Sequence, residues 1–140
     1  MNRQDDEPER EARPRAPRLR IWQQNLRKSE SAQQNLINTE NLHNEYDLLM
    51  IQEPYADFRR LTRTNAHFHA IYPTNHFSAP TGRPPERDRA LILVNVAMKT
   101  DTWKQIDFPS SDVVVVQIQG SFGKLTLFNI YNDCEHSHTV

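Results

Sequence analysis

Leu19-Arg20-Ile21-Trp22-Gln23-Gln24-Asn25 and Asp47-Leu48-Leu49-Met50-Ile51-Gln52-Glu53-Pro54 are the two stretches on which the fold turns. In the first, Leu19, Ile21 and Trp22 form a short β-prone run that ends in three polar amides. The second is a continuous apolar run without alternation, the mark of a strand covered on both faces, and Pro54 ends it just after Glu53. Between them Ser29 and Ser31 offer N-caps, and Gln34 lies three residues after Ser31, as in a capping box. Ala32, Leu36, Leu42 and Tyr46 recur at near-helical spacing, which predicts an amphipathic helix from about Ser31 to Glu45. Strand, helix and buried strand make a βαβ unit, whose strands are parallel and whose crossover is almost always right-handed.

The sequence on either side of this unit has a different character. Residues 1–17 interleave Asp5, Asp6, Glu7, Glu9 and Glu11 with Arg3, Arg10, Arg13 and Arg15, broken by Pro8, Pro14 and Pro17. With no large apolar anchor, they predict a disordered charged tail ahead of a domain over 18–140. Downstream, His67 to Tyr72 reads as a strand and Pro73 to Arg89 as a proline-rich, charged loop. Further β-prone runs cover Ala90 to Val94, Trp103 to Phe108, Val113 to Ile118 and Leu125 to Ile130. The last two flank Gln119-Gly120-Ser121-Phe122-Gly123, which predicts a hairpin. A βαβ start followed by antiparallel meanders predicts an α/β sandwich with mixed β-sheets.

Composition narrows the function classes. The chain has 140 residues, of which 36% are hydrophobic and 25% charged, and apolar clustering excludes a wholly disordered chain. Three glycines, Gly82, Gly120 and Gly123, compose neither a Walker loop nor a dinucleotide fingerprint. Seventeen Lys and Arg against 18 Asp and Glu give a net charge of −1, so contact with a polyanion has to come from local patches. Cys134, the only cysteine, excludes an internal disulfide framework. No apolar run approaches the ~20 residues of a membrane helix, and the charged start is no secretory signal. A soluble, intracellular protein with no membrane partner is the expectation.

In a βαβ unit, functional groups collect where the parallel strands end. Asn25 and Glu53 stand at those two places, so an amide and a carboxylate are expected to converge on one sheet edge. Mg²⁺ is commonly held by one or two carboxylates with waters and substrate phosphate oxygens, which makes such a pair chemically adequate. Strand ends are also simply where polar loops begin, and spacing alone does not choose between the two readings.

Trp22-Gln23-Gln24-Asn25, Leu49-Met50-Ile51-Gln52-Glu53-Pro54-Tyr55 and Phe128-Asn129-Ile130-Tyr131 resemble the first three signature stretches of the endonuclease/exonuclease/phosphatase superfamily. Gln-Asn-Leu-Arg-Lys-Ser at 24–29, Ala-Leu-Ile-Leu-Val-Asn at 90–95 and the run from Phe122 to Cys134 are similar to the endonuclease domain of fungal Tad-type non-LTR retrotransposons. The resemblance implies part of a four-layer α/β sandwich, with Glu53 as ligand of Mg²⁺ (or Mn²⁺) and Asn25 beside the metal. It further implies Tyr131 and Asn25 as catalytic groups, Tyr55 and Asn129 as substrate contacts, and DNA phosphodiester hydrolysis in the nucleus. The family's later Asp-x-Asn and Ser-Asp-His segments do not occur before Val140. The expectation is therefore an amino-terminal half that is at most a feeble nuclease, with unpaired sheet edges prone to self-association. Two other readings stay open: a non-catalytic retroelement remnant or binding module, and a phosphatase of the same superfamily.

Other residue groups carry less. Cys134, His136 and His138 alternate in a spacing unusual for zinc. His67 and His69 fall on one strand face. Arg59, Arg60 and Arg63 lie at helical spacing, suited to a DNA backbone or to solvent. Asn132-Asp133 reads as a turn after a strand, and Trp22 and Trp103 read as core.

Overall fold

The computed structural model describes residues 18–76 and 87–132. The predicted tail, residues 77–86 of the predicted loop, Asp133, and the Cys134, His136 and His138 group lie outside them.

Strand β1 (Ile21–Asn25) is followed by helices α1 (Glu30–Ile37) and α2 (Leu42–Glu45), then by strands β2 (Leu48–Gln52), β3 (Phe68–Ile71) and β4 (Ala90–Asn95). These four strands form one mixed sheet in the order β1-β2-β4-β3. The βαβ reading holds: β1 and β2 are parallel, with Ile21 opposite Leu48 and Asn25 opposite Gln52. A short 3₁₀ turn (Thr100–Thr102) leads into β5 (Trp103–Ile106), β6 (Val113–Gly120) and β7 (Gly123–Ile130), an antiparallel second sheet in that order. The hairpin between β6 and β7 closes through Ser121 and Phe122, with Gly120 opposite Gly123. Gly123 has φ +106°, and a Cβ on Gly120 would meet the Phe122 ring at 2.7 Å. The φ at Gly123 favours glycine, whereas at Gly120 the exposed Phe122 ring would have to turn aside for a side chain.

Alternation along the strands explains the layers. Leu49, Ile51, Leu91 and Leu93 of the first sheet face α1 and its surroundings, packing with Leu26, Leu36, Ile37 and Leu42. Leu48, Met50, Ala90, Ile92 and Val94 face the other way, onto Val114, Val116 and Ile118 of the second sheet. Helices, first sheet and second sheet thus form three layers, a partial α/β endonuclease-like sandwich. Burying one such aliphatic side chain stabilises the fold by roughly 1.5–3 kcal/mol. No helix among the described residues is long and apolar enough to cross a membrane.

Three expectations change. The single helix from Ser31 to Glu45 is two: α1 is capped by Ser29, whose Oγ accepts from the Ala32 N–H at 3.1 Å, and ends at Asn38. Asn41 then turns left-handed, with φ 65°, which breaks the helix while keeping Leu42 in phase with the core. The strand expected to reach Phe108 stops at Ile106. Residues 57–60 form turns, so Arg59, Arg60 and Arg63 share no helix face.

Candidate active site

Parallel pairing brings the carboxyl ends of β1 and β2 to one edge, and antiparallel β4 begins there, with Ala90 opposite Gln52. Asn25 and Glu53 meet as the sequence predicts. The Asn25 Nδ2 donates to Glu53 Oε2 at 3.2 Å, while its Oδ1 accepts from the Arg27 N–H at 2.9 Å. A backbone N–H can only donate, so the amide orientation follows: the NH₂ side faces the carboxylate. Asn25 therefore acts on the carboxylate by orienting it.

The backbone here is strained. Among the described residues, three of the five non-glycine residues with positive φ, Arg27 (52°), Lys28 (64°) and Glu53 (52°), lie at this edge. Glu53 also precedes Pro54, a position that disfavours helical φ and ψ. Such conformations cost about 1–3 kcal/mol each and persist where the surroundings over-determine them. The surroundings do so: Lys28 N–H donates to the Glu53 carbonyl at 2.8 Å, Leu26 N–H to the Gln52 carbonyl at 2.9 Å, and Glu53 N–H to the Arg89 carbonyl at 2.9 Å.

Arg89, which sequence reasoning placed only at the end of a loop, ties the two sheets together at this edge. Its N–H donates to the Ser111 carbonyl at 2.9 Å, and its guanidinium grips Asp112 with two bonds of 2.8 and 2.9 Å. The same guanidinium lies 5.0 Å from the Tyr131 ring centroid, and the Tyr131 N–H donates to the Asp112 carbonyl. Tyr131 is thereby fixed to the edge that carries Glu53. The signal in the sequence was a cation immediately before the apolar strand Ala90 to Val94.

Asn129 departs from its expected role as a substrate contact. It is 2% exposed; its Nδ2 donates to the Ile51 and Leu91 carbonyls at 2.9 and 2.8 Å, and its Oδ1 accepts from Gln52 Nε2. Every polar atom of the amide is spent on joining the sheets, because alternation in β7 turns Asn129 inward on the same face as Leu127.

Tyr55 lies in the loop after Glu53, and a second unforeseen residue shapes that loop. Gln33, fully buried in α1, donates to Thr62 Oγ1 and to the Arg63 carbonyl, both at 2.6 Å. Its Oε1 accepts from the Tyr55 N–H at 2.9 Å. A glutamine four residues before Ile37, on the apolar face, was the available signal. Farther along, Asp57 organises a turn by accepting from the Arg59 and Leu61 N–H groups. Hydrogen bonding, first from Leu61, holds its carboxyl below the ordinary carboxylate range. The turn presents Phe58 to solvent at 93% exposure. Arg59 pairs with Asp57 and Arg63 with Glu30.

The remaining predicted groups lie elsewhere. His67 precedes β3 and stacks on His43 at 3.6 Å. Trp22 packs edge-on against Tyr46, and Trp103 packs against the core between the sheets. Among the described residues no three His, Cys, Asp or Glu side chains gather as a metal-binding group. The donor set at the edge is one oriented carboxylate, which fits a hard cation that completes its shell with water and substrate oxygens.

No family model matches the chain, and no curated protein does. Among solved structures, it is similar to the endonuclease domain of TRAS1, a telomere-specific non-LTR retrotransposon, with a TM-score of 0.55 and 21% sequence identity. The chain has a retrotransposon endonuclease-like fold. The match covers 83% of this chain and 45% of the other, so it spans less than half the length of that structure.

Proposed function

We propose that the edge carrying Asn25, Glu53, Arg89 and Tyr131 is a hydrolytic centre for DNA phosphodiesters that uses Mg²⁺, or Mn²⁺ in its place. The observation that carries this reading is the Asn25 to Glu53 hydrogen bond of 3.2 Å, made by a Glu53 held in left-handed backbone within an endonuclease-like fold. Glu53 would hold the cation, which when bound supplies Lewis-acid stabilisation of charge on the phosphoryl oxygens. Asn25 keeps the carboxylate turned towards the edge. Tyr131, braced by Arg89, presents its hydroxyl as a donor to a phosphoryl oxygen, and the Arg89 guanidinium adds positive charge beside it.

Slow cleavage is expected, because the described residues at this edge include no paired acid and base groups of the kind that typically supply 10²–10⁴-fold. The test is nicking of supercoiled plasmid by the purified chain with and without Mg²⁺. Nicking that Glu53→Ala abolishes and Asn25→Ala reduces supports the reading. Nicking that persists in Glu53→Ala overturns it by showing that Glu53 does not carry the activity, and no nicking at all overturns it in favour of a non-catalytic remnant. Release of phosphate from a monoester without plasmid nicking would instead establish the phosphatase reading.

A further inference from the structure

Beside Glu53 lies a pocket of about 490 Å³, lined by Lys28, Asn75, Arg87, Arg89, Ser110 and Asp112 among others. Its size falls in the usual range of ligand sites. Among the described residues three cations line it with one anion, and that anion, Asp112, is already gripped by Arg89 through two bonds. Lys28 and Arg87 have no ion-pair partner among the described residues. Two cations without a partner among the described residues therefore stand at one pocket, a combination that suits an anion made only of acceptor oxygens, such as a phosphodiester.

The walls are tied to one another. Lys28 is anchored through its backbone on Glu53. Thr74, next to Asn75, exchanges two bonds with the Phe108 backbone at 3.0 and 3.1 Å. His76, 1% exposed in its side chain, holds Asp88 between the two arginines of the pocket, and Arg89 bonds Ser111 on the opposite wall. The pocket is thus set in place before any ligand arrives, which lowers the cost of binding.

We infer that this pocket seats a backbone phosphate of the DNA strand, neighbouring the phosphodiester at Glu53, with Lys28 and Arg87 as its charge partners. The inference rests on the reading of that edge as a phosphodiester site. It adds a register: the strand is held one phosphate away from the carboxylate, so the protein positions DNA without a net positive charge.

Binding of a fluorescein-labelled DNA duplex by the full chain, in EDTA between 50 and 200 mM NaCl, tests it. Each phosphate contact contributes about 0.9 to the slope of log affinity against log salt. Lys28→Ala and Arg87→Ala should each lower that slope by about 0.9 and the double variant by about 1.8, whereas Lys28→Arg and the distant Lys124→Ala should leave it unchanged. Unchanged slopes in both alanine variants, an equal drop in Lys124→Ala, or no measurable binding at 50 mM NaCl would overturn the inference. Loss of slope in a chain without Glu53-dependent nicking keeps the pocket and removes only the hydrolytic reading; nicking with unchanged slopes does the reverse.

Discussion

Strands β2 and β4 of the first sheet bury every residue they contain, whereas β7 in the second sheet buries only Asn129. Both sheets are built from apolar, β-prone runs. The difference is what lies on either side. The first sheet has helices on one face and the second sheet on the other, so both parities of side chain find cover. The second sheet packs its inner face on the first, but its outer face carries Phe128 and Ile130 at 52% and 56% exposure. Phe108 reaches across to meet Phe128 edge-on at 6.5 Å, and Val113 and Val115 sit beneath that partial cover. A pattern of residues sets which way a side chain points; only a neighbouring layer makes that direction worth free energy.

The largest expected effect lies in the doubly covered sheet. Leu49→Ala should cost about 2–5 kcal/mol, as for other buried leucines, read as a fall in the urea midpoint at constant slope. A loss below about 1 kcal/mol would break the comparison, by showing that the site collapses as an open face does.

Asn129→Ala probes the junction between the sheets. It leaves the Ile51 and Leu91 carbonyls and the Gln52 amide without their partner, and a cost of about 1–3 kcal/mol is expected for stranded buried groups. The same substitution should lower nicking only in proportion to the unfolded fraction. Loss of activity at full stability would return Asn129 to the role of substrate contact.

Phe128→Ser should be the mildest, within about 1 kcal/mol, because half of the ring is already in water. A cost matching that of Leu49→Ala would show the outer face to be as well covered as the inner one.

Much of the site was legible because it depends on local order. Two parallel strands that end in Asn25 and Glu53 have to bring those residues to one edge, whatever else the chain does. The glycines at 120 and 123 similarly announce the hairpin. The helix break was hidden because Leu42 and Tyr46 stay in phase with Leu36 across the Asn38 to Asn41 turn. Asn129 was misread as a substrate contact although its parity with Leu127 points it inward. Arg89 was missed altogether, since its grip on Asp112 and its place over Tyr131 exist only once β4 and β6 are set side by side.

The sequence by itself determined the strands, their alternation, the hairpin turn and the pairing of Asn25 with Glu53, because each follows from steric preference, hydrophobic period or chain connectivity over short distances. The tertiary structure alone decided which polar groups were spent as mortar and which were left open. Asn129 closes the two sheets and Gln33 clamps the loop behind Glu53, while Lys28 and Arg87, beside a pocket, have no ion-pair partner among the described residues. Those assignments depend on the partners that distant segments bring to each donor and acceptor, and a buried polar group is stable only where such partners are found.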